Sequence, residues 1–198
     1  MLALSLYFAS QPDGRGKGFT LVELMVGMAI IAMLALVGLP SFMQWTQNAK
    51  TRAAAESVLT GLQIARAEAV SRNAPVFFEL QPASTSLLWR VGCVTVQNDS
   101  ALASFCPELL ASRELTEGNI GTLNYSTDTD GTKVVFDSFG RKRVVPINAG
   151  DFSQVEIDNP QLPTNKGGRP QRIILGEGGA VRMCDVELDI DGDPRKCP

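Results

Sequence analysis

The stretch "GKGFTLVELMVGMAIIAMLALVGLP", residues 16–40, decides the architecture. Beyond Lys17 it carries one charge, Glu23, and every residue from Leu24 to Leu39 is apolar or glycine. Together with Phe19 to Glu23 the run reaches the ~20 residues that a helix needs to cross a bilayer. A carboxylate inside such a segment costs about 2.5–3.5 kcal/mol at the bilayer centre on insertion scales. Arg15 and Lys17 precede the run, and positive charge there holds the N-terminus in the cytoplasm and sends the following domain across. A secretory signal peptide would be cut after its apolar stretch, at a small-x-small site. Pro40, Phe42 and Trp45 stand there instead. A plain single-pass anchor accounts for the run and its flanking charges but gives no reason for Glu23.

Working outward, Ala55, Val58, Leu62, Ala65 and Ala69 recur at spacings of three and four between Gln44 and Asn73. That period predicts an amphipathic helix with one apolar face, stopped by Asn73 and Pro75. After Pro75 the pattern changes to short β-type runs at 76–80, 87–96, 132–136, 143–147, 154–158, 172–175 and 180–184. Turn residues separate them, including "SFGR" at 138–141 and "GEGG" at 176–179. Residues 97–131 and 159–171 read as loops. A long helix followed by strands joined through tight turns predicts an α+β fold, with antiparallel sheets packed on the helix.

The 198 residues suffice for one domain plus an anchor. The net charge of −3 gives no general attraction to nucleic acid or anionic lipid, but the charges are unevenly placed. Lys133 to Arg182 holds eight Lys/Arg against five Asp/Glu, whereas Asp185 to Asp193 holds five acids and no base. There is no histidine, which excludes Ser-His-Asp and Cys-His catalysis and histidine-ligated zinc. The cysteines, Cys93, Cys106, Cys184 and Cys197, all follow the apolar run, and each sequential pair is thirteen residues apart. Three pairings are formally possible; two local loops, Cys93–Cys106 and Cys184–Cys197, are the simplest, in an oxidising compartment outside the cytoplasm.

Gly18-Phe19-Thr20-Leu21-Val22-Glu23 with the apolar run resembles the class III leader of type IV pilins and type II secretion pseudopilins. The resemblance implies that a prepilin peptidase cuts between Gly18 and Phe19 and N-methylates the new Phe19 amine. It also implies that Glu23 pairs with the N-terminal amine of a neighbouring subunit, so that a costly buried charge is neutralised only on assembly. Pro40 resembles the helix-kinking proline of the family. "GLQIARAEAVSRN" (61–73), Trp89 within "LLWRVG", "VVFDSFGR" (134–141) and "RIILGEGGAVRMC" (172–184) narrow the resemblance to the GspH/FimT/FimU branch of minor pilins and pseudopilins. The expected organisation is a leader at 1–18, a transmembrane assembly helix at 19–45 and a periplasmic pilin domain at 46–198. The first ten residues are longer and more apolar than such leaders, so the true start is expected downstream of Met1.

The expected function is that of a minor pilin: a single-pass inner-membrane subunit that enters a type IV pilus filament with other pilins and helps initiate it, at the tip. A type II secretion pseudopilin and a pilus-borne DNA receptor are the alternatives. For the last, FimT-type pilins carry a Gly-Arg-x-Arg stretch near the last strand; here that position reads Gly179-Ala180-Val181-Arg182, and Gly140-Arg141-Lys142-Arg143 fits the pattern in an earlier turn. Arg141, Lys142, Arg143, Arg172 and Arg182, with Lys166 and Arg169, would form the strip. Solvated turn charges are the favoured reading, so DNA is not a favoured partner. "DVELDIDGDP" (185–194) lacks the glycine position and closing Glu of a calcium loop. Nothing in the sequence points to an enzyme, a cofactor or a metal site.

Overall fold

The computed structural model describes residues 18–82, 87–94, 105–115, 123–129, 131–143 and 151–198. The chain divides after Ser41 into two units. One long helix, α1 (Leu21–Arg72), contributes residues to both.

In the first unit α1 begins at Leu21, with Thr20 as its N-cap: the Thr20 hydroxyl accepts from the Glu23 backbone N–H at 3.2 Å. The described apolar side chains from Leu21 to Leu39 stand exposed, Leu24, Met28, Ile31 and Leu34 among them. Pro40 lies inside the helix, and its ring crowds the carbonyl four residues back, at Leu36. A break between Leu36 and Gly38 falls at that point. Among the described residues no single helix is long and apolar enough to cross a membrane, although the bent pair Leu21–Leu36 and Gly38–Arg72 passes on length and composition.

In the second unit the rest of α1 is rich in alanine, the strongest helix former. Its end is a Schellman motif. Asn73 adopts φ 49°, Asn73 N–H bonds the Val70 carbonyl at 3.3 Å and Ala74 N–H bonds the Ala69 carbonyl at 3.2 Å. The expected apolar face is fully buried at Ala55, Val58, Leu62, Ala65 and Ala69, joined by Ala54.

Among the described residues nine strands follow: β1 (Val76–Pro82), β2 (Leu87–Cys93), β3 (Ala111–Leu115), β4 (Asn124–Thr127), β5 (Lys133–Phe136), β6 (Lys142–Arg143), β7 (Gln154–Asp158), β8 (Gln171–Leu175) and β9 (Val181–Asp185). They form two antiparallel sheets, β3-β2-β1-β5-β6 and β4-β7-β8-β9. Alternate residues of β1 (Val76, Phe78, Leu80) and β8 (Ile173, Leu175) enter the same core as the helix face. Phe78 sits at its centre, 6.0 Å from the Trp89 ring and 6.4 Å from Phe152 in an edge-on contact. The Trp89 indole N–H donates to Ser57 Oγ of α1 at 3.0 Å, which satisfies the one polar atom the ring carries into the core.

Two strands lie where a loop was expected, β3 and β4 within 97–131. Both are edge strands, and three of the four residues Ala111 to Glu114 are exposed, so no alternation of apolar residues announces them. Within 159–171 the chain forms a 3-10 turn, Thr164–Lys166. The second expected strand stops at Cys93, with 95–96 outside the described residues, and only Lys142–Arg143 represents the run at 143–147, since 144–147 also lie outside them.

Candidate assembly and binding surfaces

The N-terminal candidate site is built by the helix start. Gly18 and Phe19 precede α1, and Phe19 is 84% exposed. Glu23 is the third helical residue and is exposed. Thr20 and Glu23 therefore form the Thr-x-x-Glu spacing of a capping box, of which the hydroxyl-to-amide half is made here. A carboxylate in the first turn also opposes the positive end of the helix dipole. Glu23 thus also stands where a carboxylate favours the start of the helix.

The five candidate DNA contacts are placed differently from one another. Arg172 on β8 pairs across the sheet with Glu156 on β7 at 2.7 Å. Arg141 pairs with Asp137 at 3.1 Å and lies over the exposed Phe139 ring. Lys142 donates to Ser153 Oγ at 2.7 Å. Arg143 and Arg182 are exposed, and no ion pair or hydrogen bond engages their side chains among the described residues. Three of the five are therefore engaged within the domain, and Arg169 is likewise drawn to Asp185 at 3.5 Å.

The turns that carry these residues meet. Asp137 Oδ1 accepts from the amides of Phe139 and Arg141, both at 2.9 Å, and shapes the β5–β6 turn. These bonds, Arg141's amide first, hold the Asp137 carboxyl below its ordinary pKa. The turn reaches the β8–β9 turn through Lys142 N–H to the Glu177 carbonyl at 3.2 Å. Arg66 of α1 donates to the Gly140 carbonyl at 3.0 Å. Gly140 and Gly179 both have positive φ, 73° and 77°, and a Cβ on Gly179 would collide with the Gly140 carbonyl. The two turn motifs of the sequence are thus one junction over the helix. The sequence does not mark Arg66, because a polar helical residue hooking a distant carbonyl leaves no periodic trace.

The cysteines are joined Cys93–Cys106 and Cys184–Cys197, with Cα separations of 5.6 and 5.1 Å. The second bridge ties down the acidic segment. Lys196 Nζ lies 2.7 Å from both Asp189 and Asp191, and Arg195 holds Asp193 at 2.8 Å. The Arg195 side chain, and then its amide, pull the Asp193 carboxyl down to about 2, and Lys196 lowers Asp189. Among the described residues, no group of three or more acids and cysteines is placed to hold a metal ion.

Residues 54–180 match the family described as Type II transport protein GspH, and residues 14–39 match the prokaryotic N-terminal methylation motif. The chain belongs to the GspH family. The matched span runs from the buried face of α1 through the β8–β9 turn, and so includes the whole turn junction with Arg66. Members are structural pilins rather than enzymes, and this GspH-family chain is a pilin-like structural subunit. The chain is 28% identical to the type IV major alpha-pilin of Moraxella bovis over 120 residues, which is 59% of this chain and 72% of that protein. It resembles two crystal forms of the type IV minor pilin FimU of Pseudomonas aeruginosa at 17% identity. These give TM-scores of 0.48 and 0.44, with 74% and 70% of this chain and 99% of each of those covered.

Proposed function

We propose that this chain is a minor pilin of a type IV pilus. On this reading a prepilin peptidase cuts after Gly18 and methylates the amine of Phe19. Residues 19–45 anchor the subunit in the inner membrane, and 46–198 form its periplasmic domain. The subunit then enters a helical filament among other pilins, where it initiates assembly at the tip and reaches the cell surface. The observation that carries the proposal is the exposed apolar helix from Leu21 to Leu36, whose one charged residue is the exposed Glu23. Such a surface needs lipid or neighbouring helices to cover it, and its one acid needs a cationic partner there. The amine of Phe19 on an adjacent subunit supplies that partner, and Pro40 weakens the helix turn before it so that neighbours can pack.

The description of the matched family favours a second reading, a type II secretion pseudopilin. Deleting the gene separates the two. Loss of surface pili with normal protein export supports the pilus reading, whereas loss of export with normal pili supports the pseudopilin and defeats the first. A DNA-receptor role has in its favour Arg143, Arg182 and Lys166, the strip's cations with unengaged side chains among the described residues, and it would appear as a steeply salt-dependent binding.

A further inference from the structure

The second unit has a base with an unusual charge pattern. Phe42 and Trp45 open it, 61% and 66% exposed, with ring centroids 6.0 Å apart. The segment Pro160–Pro170 is tied to this same stretch of helix. Gln44 donates to the Lys166 carbonyl at 3.3 Å and Asn48 to the Gly167 carbonyl at 2.9 Å, while Arg169 N–H donates to Asn48 Oδ1 at 3.0 Å. Gln47 accepts from Asn159 at 2.9 Å. Four contacts thus bring Lys166 beside the helical turn that carries Trp45. Neither stretch, 42–55 or 159–171, contains an acid. Their cations are Lys50, Arg52, Lys166 and Arg169; Arg52 pairs with Glu56 and Arg169 with Asp185, while no partner engages Lys50 or Lys166 among the described residues.

Exposed tryptophan next to unpaired lysine is the combination that settles at a bilayer interface, the ring at headgroup level and the ammonium on lipid phosphate. Trp45 follows the apolar run by only six residues. We propose that the base formed by Phe42, Trp45 and the Pro160–Pro170 segment rests on anionic phospholipid headgroups while the subunit waits unassembled, with Lys166 on a lipid phosphate. This rests on the membrane-anchored reading above. Gln44 and Asn48 are positioning residues, which hold the segment at the level of Trp45. Entry into a filament would then require the base to leave the headgroups.

The test uses the full chain reconstituted in phosphatidylglycerol vesicles and in phosphatidylcholine vesicles, each with nitroxide-labelled headgroups that quench tryptophan. Trp89 is buried and supplies an unquenched baseline, so Trp45→Phe should abolish most quenching. One surface lysine shifts a lipid-contact equilibrium about fivefold. Lys166→Glu should therefore cut Trp45 quenching at least ~2-fold in phosphatidylglycerol and leave it unchanged in phosphatidylcholine, with Lys166→Gln between. Equal quenching of wild type and Lys166→Glu in phosphatidylglycerol, in protein that resists carbonate extraction, overturns the proposal alone. Protein released by carbonate overturns the anchored reading and the proposal with it. Loss of duplex-oligonucleotide retention by Lys166→Glu, with quenching unchanged, would assign the lysine to nucleic acid and also overturn it.

Discussion

Gly179→Ala tests whether the two sheets are locked together at their turns. Two costs add. A Cβ at φ 77° costs about 1–2 kcal/mol in the left-handed region. The same atom would overlap the Gly140 carbonyl, a backbone group that Arg66 also holds and that cannot swing aside as a side chain would. Overpacking of this kind costs about 1–3 kcal/mol. The sum is roughly 2–5 kcal/mol, which lowers the melting temperature of a chain this size by roughly 4–20 °C. Gly178→Ala is the control, since nothing lies within 4 Å of its Cβ and its φ is not positive. Thermal unfolding followed by near-ultraviolet dichroism, with both disulfides intact, measures the pair. A Gly179→Ala protein melting within about 1 °C of wild type and of Gly178→Ala would refute the junction as a structural lock.

Mass spectrometry of membrane-extracted protein should find a mature chain beginning at Phe19 with a methylated amine, and an N-terminus upstream of Gly18 would reject the cleavage. Peptide mapping without reductant should link Cys93 to Cys106 and Cys184 to Cys197; a link between Cys106 and Cys184 would overturn the local loops. The Asp193 carboxyl should titrate near about 2 in carbon-detected magnetic resonance. Its folded pKa lies below the unfolded value of about 3.9, so the contact with Arg195 contributes fully above that value and is lost as pH falls toward 2. An ordinary midpoint near 4 would mean that Arg195 does not hold it.

Much of this was legible because it is periodic or punctuated. The buried helix face from Ala55 to Ala69 follows from spacing, and the helix stop from Asn73 and Pro75. The inward residues of β1 and β8 alternate as a half-buried strand must. Edge strands escaped because one neighbour and half a face are enough to hold them, so Ala111 to Glu114 could be mostly polar and exposed. The candidate basic strip was legible as composition only. Whether an arginine is free depends on which acid the register sets opposite, and Arg172 faces Glu156 through a β7–β8 pairing that no local pattern reports. The base around Trp45 needed the fold for the same reason, since hydrogen bonds from Gln44 and Asn48 cross 122 and 119 residues of sequence.

The central claim is that Glu23 is an assembly contact, and Glu23→Leu tests it most directly. The substitution removes about 2.5–3.5 kcal/mol of insertion cost, so the protein should be membrane-inserted and still processed. On the proposed pairing it also strands the Phe19 amine of its neighbour, and breaking such a buried pair costs about 3–5 kcal/mol. The measurement is the ratio of this subunit in sheared surface filaments to that in the membrane fraction, for wild type, Glu23→Asp and Glu23→Leu. The account predicts near-complete loss from the filaments for Glu23→Leu, with wild-type amounts in the membrane and Glu23→Asp between. Wild-type incorporation of Glu23→Leu would contradict it.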